Sequence, residues 1–206
     1  MRLYLIRHPR PVIAADVCYG SSDIAVMPQE RERVVNALTC NRTNERSHEQ
    51  AGASATGLAA PWVLLPQGLP IYSSPLRRCA GLAQALFSPL EGTSLTFDPR
   101  LEEMHFGAWE LRPWDGIARA EVDAWARDVA AYRPGGGECV VDMAQRVSAF
   151  YQEAQAAGGE RIVVCHAGTV RLLFACRQGG SALAIARRAA QFPRKIDYGQ
   201  VVVLDG

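Results

Sequence analysis

Residues 161–168 read R-I-V-V-C-H-A-G, an apolar run that ends in His166 and turns near Gly168 into a helical pattern continuing through Leu172 to Cys176. A short apolar run is what a strand buried on both faces looks like. A strand feeding straight into a helix is the repeating unit of a parallel α/β sheet. The N-terminus carries a second such run, R-L-Y-L-I-R at residues 2–7, which delivers Arg7 and His8 side by side and stops at Pro9. In doubly wound sheets, ligands sit beyond the carboxyl ends of the strands. An imidazole placed there beside a fixed positive charge is suited to attacking phosphorus.

Further strands are expected at residues 69–73, 94–97 and 200–204. Spacing of three or four residues joins Trp114, Ala118, Val122, Trp125, Val129 and Tyr132, and a second stripe joins Val140, Met143, Val147, Phe150, Ala154 and Ala157. Cys79, Leu82, Ala83 and Leu86 suggest a helix opening just after Pro75. Each stripe lays one apolar face against a sheet. The alternation predicts an α/β three-layer sandwich, a mostly parallel central sheet with helices on both faces. Residues 36–57, rich in Asn, Thr, Ser, Glu and Arg, read as a helix that starts near Gln29 and gives way to a flexible surface insertion. With no internal repeat and no linker, one domain spanning 1–206 is expected.

The 206-residue chain has a formal net charge of +1. No basic stripe points to nucleic acid, so phosphate recognition has to be local. The longest uncharged stretch, residues 50–76, is interrupted by Pro61, Pro66, Pro70 and Pro75 and cannot cross a bilayer as a helix. The opening apolar run is too short for a signal peptide. Six cysteines without a C-x-x-C pair argue against a zinc ribbon or disulfide scaffold and for a reducing, cytoplasmic setting. A homodimer is left open, and no membrane or nucleic-acid partner is expected.

Three strand ends carry notable residues: Arg7-His8, the turn Ser73-Ser74-Pro75-Leu76-Arg77-Arg78, and His166-Ala167-Gly168. Between the last two lies a carboxylate-bearing segment, L-E-E-M-H-F-G-A-W-E at 101–110. Together with S-S-P-L-R-R-C at 73–79, P-G-G-G-E at 134–138 and V-V-C-H-A-G at 163–168, these ordered blocks resemble the histidine phosphatase (phosphoglycerate mutase-like) superfamily across nearly the whole chain. The resemblance implies a three-layer α/β fold and a phosphohistidine mechanism without metal or other cofactor. It carries the nucleophile to His8, phosphate binding to Arg7, Arg78 and His166, and the general acid to Glu103. The opening R-H-x-x-P followed by C-Y-G-x-x-D at 18–23 resembles a branch often assigned as α-ribazole phosphatase.

Elementary chemistry fits those roles. A phosphomonoester carries close to two negative charges, and arginine forks match phosphate oxygens. The helix N-terminus after His166 adds backbone donors. His8 has to be neutral and held in one tautomer, through a backbone carbonyl. Glu103, beside a dianion in a partly dry cleft, is expected to have a raised pKa and so to protonate the leaving alkoxide, then activate water.

Three positions depart from the family pattern. Pro9 replaces the usual glycine and gives up a backbone donor, with Arg10 placed to compensate; Leu111 and Cys139 replace the glycine of W-E-G and the serine of G-E-S. Arg10, Tyr19 and His105 are read as substrate-lining residues, although a structural role suits His105 equally. Arg77 reads as a solvated helix residue, Glu138 as a first-turn residue favoured by the helix dipole, Trp109 as core or cleft wall, and Arg187-Arg188 as a solvated face. The expected activity is phosphomonoester hydrolysis on a small phosphorylated metabolite, α-ribazole 5′-phosphate among the candidates. Phosphoglycerate mutase action, non-catalytic phospholigand binding and a structural interaction module are the alternatives.

Overall fold

The structure, a computed structural model, describes residues 1–39, 65–87, 93–193 and 195–206. Its elements in chain order are β1 (Arg2–Arg7), α1 (Pro28–Thr39), β2 (Ile71–Ser73), α2 (Arg77–Leu86), β3 (Leu95–Phe97), α3 (Arg119–Arg127), α4 (Val140–Ala157), β4 (Glu160–Cys165), α5 (Ala167–Cys176), α6 (Ala182–Ala190) and β5 (Val201–Asp205). The sheet order is β3-β2-β4-β1-β5. β1, β2, β3 and β4 run parallel, and β5 is antiparallel to β1.

Strand alternation divides the core between the two faces. Leu3, Leu5, Val163, Cys165, Val202 and Leu204 face the cluster under α4, α5 and α6. Tyr4, Ile6, Ile162, Val164 and Val201 face the cluster under α1 and α2. Both faces are apolar because both are covered, as the unbroken apolar runs foretold. Among the described residues, no helix is long and apolar enough to cross a membrane.

The register sets up the site. Arg7 pairs with Cys165, and Ser73 pairs with Val164. The next residue of each strand therefore reaches the same edge: the backbone N–H groups of His8 and Ser74 donate to the carbonyls of Cys165 and Val164, each at 3.0 Å. β1 leads towards β2 through α1 on one face of the sheet, while β4 leads towards β5 through α5 and α6 on the opposite face. That divergence opens the crevice between β1 and β4 where an α/β sheet binds its ligand.

Three readings need correction. The aromatic stripe from Trp114 to Tyr132 is not one helix: Trp114 sits in a 3-10 turn and α3 ends at Asp128, whose backbone (φ −141°, ψ 72°) leaves the helical region. α6 escaped notice, although Ser181 caps it by accepting from the Ala184 N–H. Arg188 is not merely solvated, since its guanidinium donates to the Ala175 carbonyl at 3.1 Å and ties α6 to α5. α1 begins at Pro28, close to the expected Gln29, and holds residues 36–39; the rest of the proposed insertion, 40–57, lies outside the described residues.

Candidate active site

His8 leaves β1 with 2% of its surface exposed. Its Nδ1 lies 2.7 Å from the Pro9 carbonyl oxygen. A carbonyl only accepts, so Nδ1 carries the proton and Nε2 keeps its lone pair. Pro9 thus gives up a backbone donor yet supplies the acceptor that sets the tautomer. Burial, followed by the charges of Arg78 and Arg7, holds the imidazole well below its ordinary pKa. It is neutral at neutral pH, the form a nucleophile needs.

His166 is fully buried, with its ring centroid 5.1 Å from that of His8 in an edge-on arrangement. Arg78 donates through Nε to His166 Nδ1 at 3.3 Å, so Nε2 bears the hydrogen and meets Ser74 Oγ at 2.9 Å. Burial, then Arg78 and His8, depress this pKa also. Two neutral imidazoles therefore stand together at the end of β1 and β4.

Arg78 is 1% exposed and donates to the carbonyls of Ser22 and Gly20 as well as to His166. α2 presents it from the first turn, with the Asp23 carboxylate accepting from the Arg77 N–H at 2.6 Å across the crevice. Arg77 is exposed, as its reading as a solvated helix residue expected. Arg7 donates to the Ile196 carbonyl and lies 3.8 Å over the Tyr198 ring. Neither Arg7 nor Arg78 forms an ion pair among the described residues. Two guanidiniums without a carboxylate, beside two neutral imidazoles, form a corner short of negative charge.

Glu103 approaches from the segment before α3. Its Oε2 accepts from the Gly168 N–H and its Oε1 from the Met104 N–H, each at 3.1 Å. A Cβ on Gly168 would lie 2.3 Å from Oε1, so any larger residue there would displace this carboxylate from the start of α5. Arg146 steadies the same segment: it donates to the carbonyls of Arg100 and Glu102 at 2.9 and 2.7 Å and pairs bidentately with Glu138 at 2.8 and 2.9 Å. Glu138 is therefore the anchor of Arg146 rather than a first-turn residue of α4, which begins after it. The glycine run answers a backbone requirement: Gly135, at φ +57°, packs so closely on the 106–109 turn that a Cβ would come within 2.6 Å of two backbone nitrogens.

The remaining lining residues divide. Tyr19 is brought to the site, with its ring 5.5 Å from the Arg78 guanidinium and its hydroxyl 2.8 Å from that of Tyr198. Arg10 is exposed, 5.8 Å from the Tyr198 ring. His105 is not brought in: it is exposed, accepts from the Gly107 N–H at 3.2 Å, and is absent from the lining of the cavity beside Glu103. Trp109 is core, 1% exposed, with its indole donating to Glu121; Trp125 and Phe106 form the cavity wall instead.

Sequence reading missed Tyr198, Ser74, Glu110 and Arg146. Tyr198 stands 5.5 Å from the His8 ring because β5 is antiparallel, so the loop before it arrives where β1 ends. Glu110 accepts from the backbone N–H groups of Gly20, Ser21, Ser22 and Phe106. Although burial pushes its carboxyl up, these bonds and the Ser22 hydroxyl bring it below the usual range. Glu110 thereby fixes the loop whose carbonyls hold Arg78.

A family model described as histidine phosphatase superfamily (branch 1) matches residues 3–193. A glucosyl-3-phosphoglycerate phosphatase of Mycolicibacterium vanbaalenii is 36% identical over 152 residues, covering 66% of this chain and 63% of that protein. A protein of the same name from Mycobacterium tuberculosis is 33% identical over 149 residues, 64% of this chain and 62% of that one. The chain thus spans less than two thirds of the length of these relatives. Among solved structures, the α-ribazole phosphatase from Shigella flexneri superposes with a TM-score of 0.70 at 23% identity, over 100% of this chain and 90% of that one, a likeness of fold. With a match over most of its length, the chain belongs to the histidine phosphatase superfamily, branch 1.

Proposed function

We propose that the protein is a phosphomonoesterase acting on a small phosphorylated metabolite through a phosphohistidine at His8. One observation carries this reading: neutral His8 and His166 stand 5.1 Å apart beside a buried Arg78 that has no carboxylate partner among the described residues. A phosphate dianion supplies the charge that this corner lacks.

In the proposed reaction, Arg7 and Arg78 neutralise the phosphoryl oxygens while His8 Nε2 attacks phosphorus in line with the ester oxygen. The N–P bond forms as the P–O bond to the alcohol breaks. Glu103, entering as the acid, gives its proton to the departing oxygen. Water then takes the alcohol's place; Glu103, now a carboxylate, removes its proton as oxygen attacks the phosphohistidine, and inorganic phosphate leaves with His8 restored. His166 acts by keeping Arg78 aimed and by presenting a neutral polar wall to the phosphoryl group.

The names of the mycobacterial relatives put glucosyl-3-phosphoglycerate among the substrates to test, and the opening motif with the fold neighbour puts α-ribazole 5′-phosphate beside it. The basic test is hydrolysis of p-nitrophenyl phosphate with EDTA present, wild type against His8→Ala. Turnover by wild type and loss of at least about 10³-fold in the variant are expected. Full activity in His8→Ala would remove the proposal.

A further inference from the structure

Arg7 and Arg78 are held by different means. Carbonyl oxygens grip Arg78, whereas Arg7 gives Nη1 to the Ile196 carbonyl at 2.5 Å and lays its guanidinium carbon 3.8 Å above the Tyr198 ring. The same ring stands 5.5 Å from that of His8. An aromatic face attracts a cation without occupying its N–H edge and without cancelling its charge. A carboxylate in that place would do both, and would repel a phosphate dianion. Arg7 Nε, buried and without a hydrogen-bond partner among the described residues, keeps an unused donor on the fork that the ring holds.

Tyr198 is itself secured. Its hydroxyl lies 2.8 Å from the Tyr19 hydroxyl, and the Tyr19 ring lies 5.5 Å from the Arg78 guanidinium. Gly199, next in the chain, donates to the Arg7 carbonyl at 3.0 Å and ties this loop to the end of β1. The far side is equally fixed, since Glu110 accepts from the N–H groups of Gly20, Ser21 and Ser22 directly after Tyr19. Two tyrosines thus bridge the loop before α1 and the loop before β5, with one arginine at each ring. Burial, then the Tyr198 hydroxyl, push the Tyr19 pKa up, so Tyr19 stays protonated and brings no negative charge between the guanidiniums.

We infer that Tyr198 is a positioning residue: its ring holds the Arg7 guanidinium with the N–H edge free for a phosphoryl oxygen, and the Tyr19 hydroxyl keeps that ring in place. The inference rests on the phosphatase reading and deepens it. A hydrogen bond at Nη1 alone holds one corner of the fork; contact with the ring holds its centre as well.

The test is a double-mutant cycle between Tyr198 and Arg7, read in kcat/KM for p-nitrophenyl phosphate and in the calorimetric affinity for inorganic phosphate. Tyr198→Leu is expected to lower both by about 10-fold. Tyr198→Phe, which keeps the ring and loses the bridge, should lower them by about 2- to 5-fold. In an Arg7→Met background, Tyr198→Leu should cost less than about 2-fold, because its effect runs through the guanidinium. Tyr19→Phe should match Tyr198→Phe, and the two together should be no worse than either alone. Wild-type values in Tyr198→Leu, or an equal loss with and without Arg7 as a merely structural role would give, overturn the inference. Additive losses in the two phenylalanine variants overturn the bridge. Should wild type fail to hydrolyse p-nitrophenyl phosphate, the phosphatase reading fails by itself. Proton NMR then reads the clamp separately: the Arg7 side-chain protons are expected upfield through the Tyr198 ring current and back at ordinary positions in Tyr198→Leu. Ordinary positions in wild type contradict it.

Discussion

Arg78 and His166 spend their hydrogen bonds on Ser22, Gly20, Ser74 and one another, whereas Trp125 and Arg171, which line the cavity beside Glu103, hold buried donors without partners among the described residues. The first region has most of its donors paired, leaving the buried Arg7 Nε without a partner among the described residues, and lacks negative charge. The second is apolar and poorly satisfied, so its preference for a ligand is decided by what enters. In the proposed reaction the first holds the phosphoryl group, and the second lies beside the acid that serves the departing alcohol. The two adjoin at the start of α5, where His166 belongs to the first and Gly168, which donates to Glu103, lines the second.

The contrast breaks most severely if Arg78 can be replaced cheaply. Arg78→Lys keeps the charge but loses the fork that holds two carbonyls and His166. A fall in kcat of about 10²- to 10³-fold is expected, together with a lowered melting temperature. A near-normal kcat would mean that geometry matters less in this corner than its hydrogen bonding implies.

Gly168→Ala strikes the shared boundary by driving a methyl group into the Glu103 carboxylate. Loss should depend on how badly the leaving group needs a proton: about 10- to 100-fold for an alkyl phosphate, only a few-fold for p-nitrophenyl phosphate. Equal losses on both substrates would show that Glu103 is not the acid.

The neutral imidazoles make the phosphate corner sensitive to pH. Their folded pKa values are depressed by burial first and then by neighbouring positive charge, so below about pH 6.5 the unfolded chain binds protons that the folded chain refuses. Their contribution to stability is complete above that pH and drains away as pH falls, by about 1.4 kcal/mol per pH unit for each imidazole. Calorimetric melting between pH 7.5 and 5.5 should show the decline, with a shallower slope in His166→Asn. A flat profile would contradict the neutral assignment.

The smallest expected effect lies outside both regions. Leu111 is exposed and adopts φ +62°, in the left-handed range that disfavours a side chain. Leu111→Gly relieves about 1–2 kcal/mol of that strain and returns part of it through unfolded-chain entropy. A net gain of about 0.5–1 kcal/mol in denaturant unfolding is expected, with turnover of p-nitrophenyl phosphate unchanged.

The parts of the fold that repeat were legible in the sequence. β1 and α4 fall where their apolar patterns put them, and β2 to β5 within two residues of expectation, because burial on both faces of a sheet writes itself directly into composition. That His8 and His166 come together was legible for the same reason, since β-strand register carries adjacent strand ends to one edge, whereas Arg78 arrives from the first turn of α2. Tyr198 was not, because its place depends on β5 running antiparallel, which no local pattern announces. Arg146 and Glu110 were hidden differently: each works on backbone groups of a distant loop, and backbone hydrogen bonds leave no trace in residue spacing. His105 misled because it neighbours the acid in sequence, while the turn at Gly107 sends it outward.

The most direct measurement is to quench a turnover reaction with phosphate-labelled substrate under alkaline conditions, digest the protein and locate the label by mass spectrometry. One acid-labile phosphate on the imidazole of His8 is expected, forming within the first turnover and longer-lived in Glu103→Gln. Label on any other residue, or steady hydrolysis with His8 unlabelled at every quench time, would contradict the phosphohistidine mechanism.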